Sequence, residues 1–224
     1  MEIKPEFVPP RCAIPLPYLG LENEEAQLAE SLLRNLIQVE MQTHRIGAAL
    51  ALLELSETLP LPPSDAFRSL GLLWRQAAFR EGAMSLDAFI KAADSAAKLI
   101  GRCVTIMPLI DAGRLSAATG AFRDRFQNPE KIRHSAAHPE YYPNLSKPMD
   151  GDARSIGARV VDFRNQRVSG SFHDRTYFAT FAGTTVFYDL TAETVVFLVD
   201  LVKEIFSAFD RVTVAEIAQL RAQG

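Results

Sequence analysis

The chain has 224 residues and a mass of 24.8 kDa, with 48% hydrophobic and 23% charged residues, which suffices for one large domain or two small ones with a real core. A formal net charge of -3 argues against an extended basic surface that binds duplex nucleic acid, although it is compatible with a local basic pocket. Cys12 and Cys103 lie far apart and in no CxxC pattern, so neither a disulfide framework nor a zinc knuckle is indicated.

The opening segment MEIKPEFVPPRCAIPLPYLG is broken by prolines and carries acidic side chains, which does not fit a signal peptide. It predicts an extended, proline-rich arm over residues 1–20. No apolar run in the sequence approaches the roughly 20 residues that span a bilayer. We therefore expect a cytoplasmic protein without a membrane partner, folded as a single domain over residues 21–224.

Helical periodicity dominates the first half of this domain. The segment LENEEAQLAESLLRNLIQVEMQTHRIGAALALLEL has apolar residues at three- and four-residue steps, which predicts a long amphipathic helix. The prolines of LPLPPSD end it, and Ser64 or Asp65 is a plausible cap for a second helix. Ser85 can cap a third helix in the same way, and a fourth is predicted over roughly 109–126.

The second half of the domain has a different sequence pattern. Residues 154–165 fit either a helix or a strand, and residues of about 166–190 predict a small antiparallel β-hairpin or meander, with strands at 177–181 and 185–188. Thr191 can cap a last long helix with a strongly apolar stripe. The predicted fold is therefore mostly α, an up-down helical bundle with a small antiparallel β insert before the last long helix.

The stretch NPEKIRHSAAHPEYYPN, residues 128–144, places Arg133, His134 and His138 within six residues. Its Asn-Pro pair predicts the first turn of a short helix, and Pro139 ends that helix directly after His138. The simplest interpretation is structural, because cationic side chains in a last turn satisfy free carbonyls and the helix dipole. On that interpretation the cluster does no chemistry.

A metal site is the second interpretation. His134 and His138 are four residues apart, so on a helix they share a face, as two ligands of one ion require. A third ligand would have to come from elsewhere, such as Glu140 or His173. The strong form of this signature has a glutamate directly after the first histidine, where this chain has Ser135. The signal is weak, and we expect neither a metal nor another cofactor.

Phosphate chemistry is the third interpretation. Arg133 is always charged and can hold a phosphate by two parallel hydrogen bonds. A histidine titrates near neutral pH, so His138 can accept or donate a proton. Residues five apart on an ideal helix point in different directions, so both reach one cleft only if the helix ends between them. Arginine and histidine then suffice in principle to cleave RNA without a metal.

The same residues resemble the signature of the HEPN superfamily (higher eukaryotes and prokaryotes nucleotide-binding), in which an arginine followed by a polar residue stands four to six positions before a histidine. Here Arg133 is followed by the polar His134, and three more residues separate it from His138. Ile132 and Pro139 also resemble the usual surroundings of the motif. Many relatives carry Asn or Asp at the position of His134. The β insert and the proline-rich arm match no family pattern.

The resemblance implies a four-helix up-down bundle that forms a homodimer, with the two motifs facing each other. It implies a metal-independent endoribonuclease that leaves 2′,3′-cyclic phosphate ends, in a toxin–antitoxin, defence or RNA-processing system. Arg133 would bind phosphate, His138 would act as acid and base, and His134 would give polar support. The alternative is a family member without catalysis, which binds a nucleotide, an RNA or a protein partner such as an antitoxin through the same cleft.

Four further residues are candidates for substrate binding. Lys131 and Arg125 can join Arg133 in a narrow basic pocket, which a chain of net negative charge needs for RNA. Tyr141 and Tyr142 follow the motif directly and can stack on an unpaired base. They can equally anchor the loop to the helices as ordinary hydrophobic contacts, and the sequence leaves both roles open.

Overall fold

A computed structural model describes residues 21, 23–59, 65–138, 153–156, 159–162, 171–181 and 184–223. The described chain is mostly helical with short antiparallel strands, as predicted. Of the helices in these ranges, none is long and apolar enough to cross a membrane. The elements in chain order are α1 Asn23–Thr58, α2 Asp65–Ile100, α3 Ala112–Arg125, α4 Pro129–Ala137, β1 Ala153–Ile156, β2 Arg159–Asp162, β3 Ser171–His173, β4 Thr176–Phe181, β5 Thr184–Asp189, α5 Ala192–Ser207 and α6 Asp210–Gln223.

The contacts between residues divide the chain into two units, and the long helices contribute to both. The first unit contains the chain up to His44, residues 88–122 and the chain from residue 196 onwards. The second contains residues 45–87 and 123–195. The motif around Arg133 therefore belongs entirely to the second unit.

The first unit has a helical core. Fully buried side chains of that core include Leu32, Leu36 and Val39 of α1, Phe89 and Ala93 of α2, Phe122 of α3, Leu198 and Ile205 of α5, and Val212 of α6. The rings of Phe89 and Phe122 stack with their centroids 5.0 Å apart. The Glu25 carboxylate accepts hydrogen bonds from the backbone N–H and the hydroxyl of Thr105, at 2.7 and 2.8 Å. These bonds fix the segment between α2 and α3 against the start of α1.

Two predicted helix boundaries are wrong. The predicted second and third helices are one helix, α2, and Ser85 lies inside it with 1% of its surface exposed, so it caps nothing. The apolar period runs through this serine, and burial of that continuous stripe outweighs the local preference of serine for a cap. The predicted last helix, α5, ends at Ser207, and α6 follows from Asp210 after a turn at the fully buried Phe209.

The second unit contains a three-stranded antiparallel sheet in the order β3-β4-β5. Tyr177 pairs with Tyr188 across β4 and β5, and Ala179 pairs with Val186. These four side chains are buried, whereas the alternate residues Phe178 and Phe187 are only partly covered. One face of the sheet therefore packs on helices, as the alternating pattern predicts. Strands β1 and β2 form a separate antiparallel pair. They fall largely within residues 154–165, for which the sequence fitted either a helix or a strand.

Tyr188 fixes this sheet to α2. Its hydroxyl donates a hydrogen bond to the carbonyl oxygen of Phe79. Gly82 makes the approach possible, because a Cβ atom at this position would lie 2.9 Å from the Tyr188 hydroxyl oxygen. The turn of α2 from Phe79 to Ala83 thus provides the surface against which Tyr188 of β5 packs.

Candidate functional site on helix α4

Helix α4 begins as the Asn-Pro pair predicts. Pro129 occupies the first turn, where a missing N–H costs nothing. Asn128 stands at the capping position in a left-handed conformation with φ 56°, which asparagine tolerates better than most residues, and its side chain makes no capping hydrogen bond. The start of α4 therefore depends on backbone geometry more than on a side-chain cap.

The inner face of α4 is anchored to strand β4. Ile132 is fully buried, and the Ser135 hydroxyl donates a hydrogen bond of 2.8 Å to its carbonyl oxygen. The Tyr177 hydroxyl in turn donates to the Ser135 oxygen at 3.1 Å. Ser135 lies about 200° around the helix from Arg133 at the usual 3.6 residues per turn. Anchoring by Ser135 therefore directs Arg133 away from β4.

Arg133 forms an ion pair with Asp87 of α2. The Nε atom of Arg133 lies 3.6 Å from Oδ2 of Asp87. The aspartate side chain is only 5% exposed, whereas that of the arginine is 37% exposed. A buried carboxylate needs a cation nearby, so this pair holds the guanidinium at a fixed place on the surface. Asp87 was not among the predicted site residues, although an aspartate between the apolar residues Leu86 and Phe89 is a signal for a buried charge.

His138 is the residue at which α4 ends. The last helical residue is Ala137, and His138 has φ -131° and ψ 65°, with its backbone N–H donating to the carbonyl oxygen of His134 at 3.0 Å. The helix thus ends one residue before the predicted end directly after His138, and its last residue, Ala137, lies between Arg133 and His138. His138 is exposed, and the ring centroids of His134 and His138 are 6.3 Å apart. The two imidazoles therefore lie near each other at the end of α4.

Of the four other predicted substrate-binding residues, the structure describes Lys131 and Arg125. Lys131 is half-buried on α4 itself. Arg125 is exposed at the end of α3, where a terminal nitrogen lies 3.4 Å from the Thr194 hydroxyl and the guanidinium lies 5.8 Å from the ring centroid of Phe126. Tyr141 and Tyr142 lie outside the described residues. The roles proposed for all four stay predictions.

A cleft of about 340 Å³ opens beside α4 within the second unit. Aromatic side chains from α2, β3 and β4 form its floor, namely Phe79, Phe172 and Tyr177. Ser135 and Ala136 of the motif form one wall. This cleft could not be predicted from local sequence patterns, because residues from four separate elements create it.

The opposite wall of the cleft belongs to α2. Leu73, Gln76, Ala77 and Arg80 recur at three- and four-residue steps, so they share one face of that helix. All four are exposed. Arg80 brings a positive charge and Gln76 a neutral amide to the opening. The cleft therefore combines an aromatic interior with a polar edge.

Among the residues in the described ranges, no group of three or more His, Cys, Asp or Glu side chains is placed to hold a metal ion. Comparison of the chain with protein-family models, with curated proteins and with solved structures finds no match. The resemblance to HEPN proteins therefore rests on the residues around Arg133 and His138, and membership of that superfamily stays a prediction.

Proposed function

We propose that the protein is a metal-independent endoribonuclease of the HEPN type, in which Arg133 binds the scissile phosphate and His138 transfers protons. The observation that carries this proposal is the end of α4 between the two residues. It leaves His138 exposed beside the helix, while Asp87 holds Arg133 in place. An arginine held through Nε can present both terminal nitrogens to a phosphate in the two-pronged arrangement.

The reaction follows from these groups. A neutral imidazole takes the proton of the ribose 2′-hydroxyl, and the 2′-oxygen attacks the adjacent phosphorus. The Arg133 guanidinium stabilises the negative charge of the phosphorane. The bond from phosphorus to the 5′-oxygen breaks, and an imidazolium gives its proton to that oxygen. The products are a 2′,3′-cyclic phosphate and a free 5′-hydroxyl.

A homodimer completes the chemistry. Cleavage requires a base and an acid, and one Arg133–His138 pair supplies one proton-transfer group. Two copies of the motif that face each other supply both. His134 then has the supporting role, since its ring lies 6.3 Å from that of His138 and can orient it or the phosphate. Toxin–antitoxin, defence and RNA-processing systems are the settings in which such an enzyme and a protein inhibitor would operate.

The roles of the residues are tested by RNA cleavage with EDTA present. His138→Ala should lower the rate by about 10²- to 10⁴-fold, the usual contribution of a general acid or base. His44→Ala is the matched control, because His44 is also an exposed histidine but lies on α1. Equal rates for the parent and His138→Ala, with both proteins folded, would contradict the proposal.

A non-catalytic binding module is the second candidate, and the Arg133–Asp87 ion pair favours it. The carboxylate already compensates part of the arginine charge, which weakens the stabilisation of a phosphorane more than the binding of a ground-state ligand. This candidate predicts that the parent protein binds RNA or a nucleotide and that the parent and His138→Ala alike cut nothing.

A further inference from the structure

The aromatic rings in the cleft beside α4 are already covered by protein groups. Phe79 stacks on Phe172 with ring centroids 5.1 Å apart, and the Arg75 guanidinium lies over the Phe172 ring at 5.2 Å from its centroid. Phe79 and Tyr177 are buried. A flat ligand would have to displace these contacts to stack in the cleft, so the rings present mainly their edges to a ligand.

The polar atoms inside the cleft are also occupied. The Tyr177 hydroxyl donates a hydrogen bond to the Ser135 oxygen at 3.1 Å, and the Ser135 hydroxyl donates to a carbonyl oxygen of its own helix at 2.8 Å. The rest of the interior is aliphatic, since it consists of Leu73, Ala77 and Ala136, which we call the aliphatic surface. Such a surface suits a hydrocarbon group, which gains from leaving water and needs no hydrogen bond.

Arg80 brings a positive charge to the mouth of the cleft. Among the described residues that line the cleft, Arg80 alone is charged, and it is exposed. Two other arginines of the same unit have a carboxylate beside them, Arg75 that of Glu57 and Arg133 that of Asp87. No acidic side chain in the described ranges forms an ion pair with Arg80. Its guanidinium is therefore suited to a carboxylate from outside the chain, which it can hold by two parallel hydrogen bonds.

The aliphatic surface and this charge lie along one face of α2. Leu73, Ala77 and Arg80 recur at steps of four and three residues. At a rise of 1.5 Å per residue, Leu73 and Arg80 are about 10 Å apart along the axis, which an extended chain of roughly eight carbon atoms spans. The cleft volume of about 340 Å³ lies at the lower end of the roughly 300–1,000 Å³ of small-molecule sites. A short hydrocarbon with one terminal anion matches both features.

We propose that the cleft binds an aliphatic carboxylate of medium chain length, with its hydrocarbon on the aliphatic surface and its carboxylate on Arg80. The amide of Gln76 stands one helical turn before Arg80 and can donate a further hydrogen bond to the carboxylate. This inference is independent of RNA cleavage, because the site uses neither Arg133 nor His138.

The first test varies the ligand. Linear saturated carboxylates from hexanoate to decanoate are titrated into the full chain below their micellar concentrations, and binding is followed by ligand-observed NMR. Affinity should rise about fourfold with each added methylene group until the cleft is full, and then level off. Octylammonium has a body of the same length and the opposite charge, so it should bind at least about tenfold more weakly than octanoate.

The second test varies the site, with octanoate as the probe. Ala77→Phe fills the cleft and should abolish saturable binding. Arg80→Gln removes the charge and should weaken binding about tenfold, which removes the preference for octanoate over octylammonium. Ala97→Phe and Lys98→Gln are matched controls that should bind as the parent does, because both residues are exposed on α2 and neither lines the cleft.

Several results would overturn the site. Equal affinity of the parent for octanoate and octylammonium would remove the role of Arg80. Unchanged affinity in both cleft variants, or an equal loss in the control variants, would show that octanoate binds elsewhere on the protein. RNA cleavage is assayed separately, so a failure of the carboxylate site and a failure of the nuclease are distinguished.

Discussion

At the scale of single residues, Arg133 has a structural contact as well as a proposed chemical role. Arg133→Ala takes the cation away from a carboxylate that is 5% exposed, so we expect the free energy of unfolding to fall by about 1–3 kcal/mol. Asp87→Asn removes the carboxylate charge, and the double variant should lose less than the sum of the two single variants. Urea denaturation of the four proteins measures this coupling. Strictly additive losses would show that the ion pair contributes nothing.

Gly82 and Tyr188 form a second coupled pair. Glycine to alanine inside a helix ordinarily stabilises by roughly 0.5–1 kcal/mol. Here the new Cβ atom would lie 2.9 Å from the Tyr188 hydroxyl oxygen, and a hydrogen bond to the Phe79 carbonyl holds that hydroxyl in place. We therefore expect Gly82→Ala to lower the melting temperature, and Tyr188→Phe to relieve part of that loss in the double variant. A rise in melting temperature for Gly82→Ala alone would contradict this packing.

Buried tyrosines determine how stability responds to alkaline pH. Burial raises the pKa of Tyr188 well above its ordinary value of 10.0, and burial also raises the pKa of Tyr177. The unfolded chain releases these protons at lower pH than the folded chain, so the free energy of unfolding falls as pH rises through and above 10. Urea midpoints at neutral and alkaline pH should show this fall. Tyr188→Phe should make it shallower, and an equally steep fall in that variant would refute the assignment.

At the scale of elements, the continuous helix α2 changes the expected effect of replacing a serine by alanine: stability should rise at Ser85, whereas it falls at a helix cap. A serine that caps a helix loses about 0.5–2 kcal/mol of stability on replacement by alanine. Ser85 is 1% exposed, and its hydroxyl has no hydrogen-bond partner among the residues that the structure describes. Ser85→Ala should therefore raise the melting temperature, since it removes a buried unsatisfied hydroxyl and adds a better helix former. A lower melting temperature would favour a helix boundary at this serine. Thr191→Ala is the control for a true cap, because its hydroxyl accepts from the Thr194 N–H.

Local signals in the sequence were sufficient for much of the secondary structure. The apolar period predicted α1, the Asn-Pro pair predicted the start of α4, and runs of aromatic and β-branched residues predicted the strands around Tyr177 and Tyr188. Each of these signals acts over a few residues, where one face of an element must be buried. The end of α4 before His138 was equally local, because a proline follows it directly.

The tertiary contacts could not be predicted from the sequence. Asp87 of α2 lies beside Arg133 of α4 only in the folded chain, and the aromatic floor of the cleft joins Phe79 of α2 to Phe172 of β3. The unbroken course of α2 through Ser85 is a similar case, since packing on both sides decides it. The motif was therefore predictable as a cluster of residues, and its orientation by a buried carboxylate was not.

At the scale of the whole molecule, the proposed chemistry requires two chains. We expect sedimentation equilibrium to give twice the chain mass of 24.8 kDa. If two motifs share one active site, addition of the His138→Ala protein should lower the activity per parent chain once subunits exchange, because mixed dimers lack one proton-transfer group. Activity that is independent of the added variant would show that one chain carries the complete site.

The products of RNA cleavage test the central proposal most directly. The parent protein would be incubated with end-labelled single-stranded RNA in the presence of EDTA, and the 3′ ends of the products would be analysed. We predict 2′,3′-cyclic phosphate ends, and no cleavage of the same sequence made with 2′-deoxyribose, because the 2′-hydroxyl is the nucleophile. Products with 3′-hydroxyl ends, or equal cleavage of the 2′-deoxy strand, would contradict the roles proposed for Arg133 and His138.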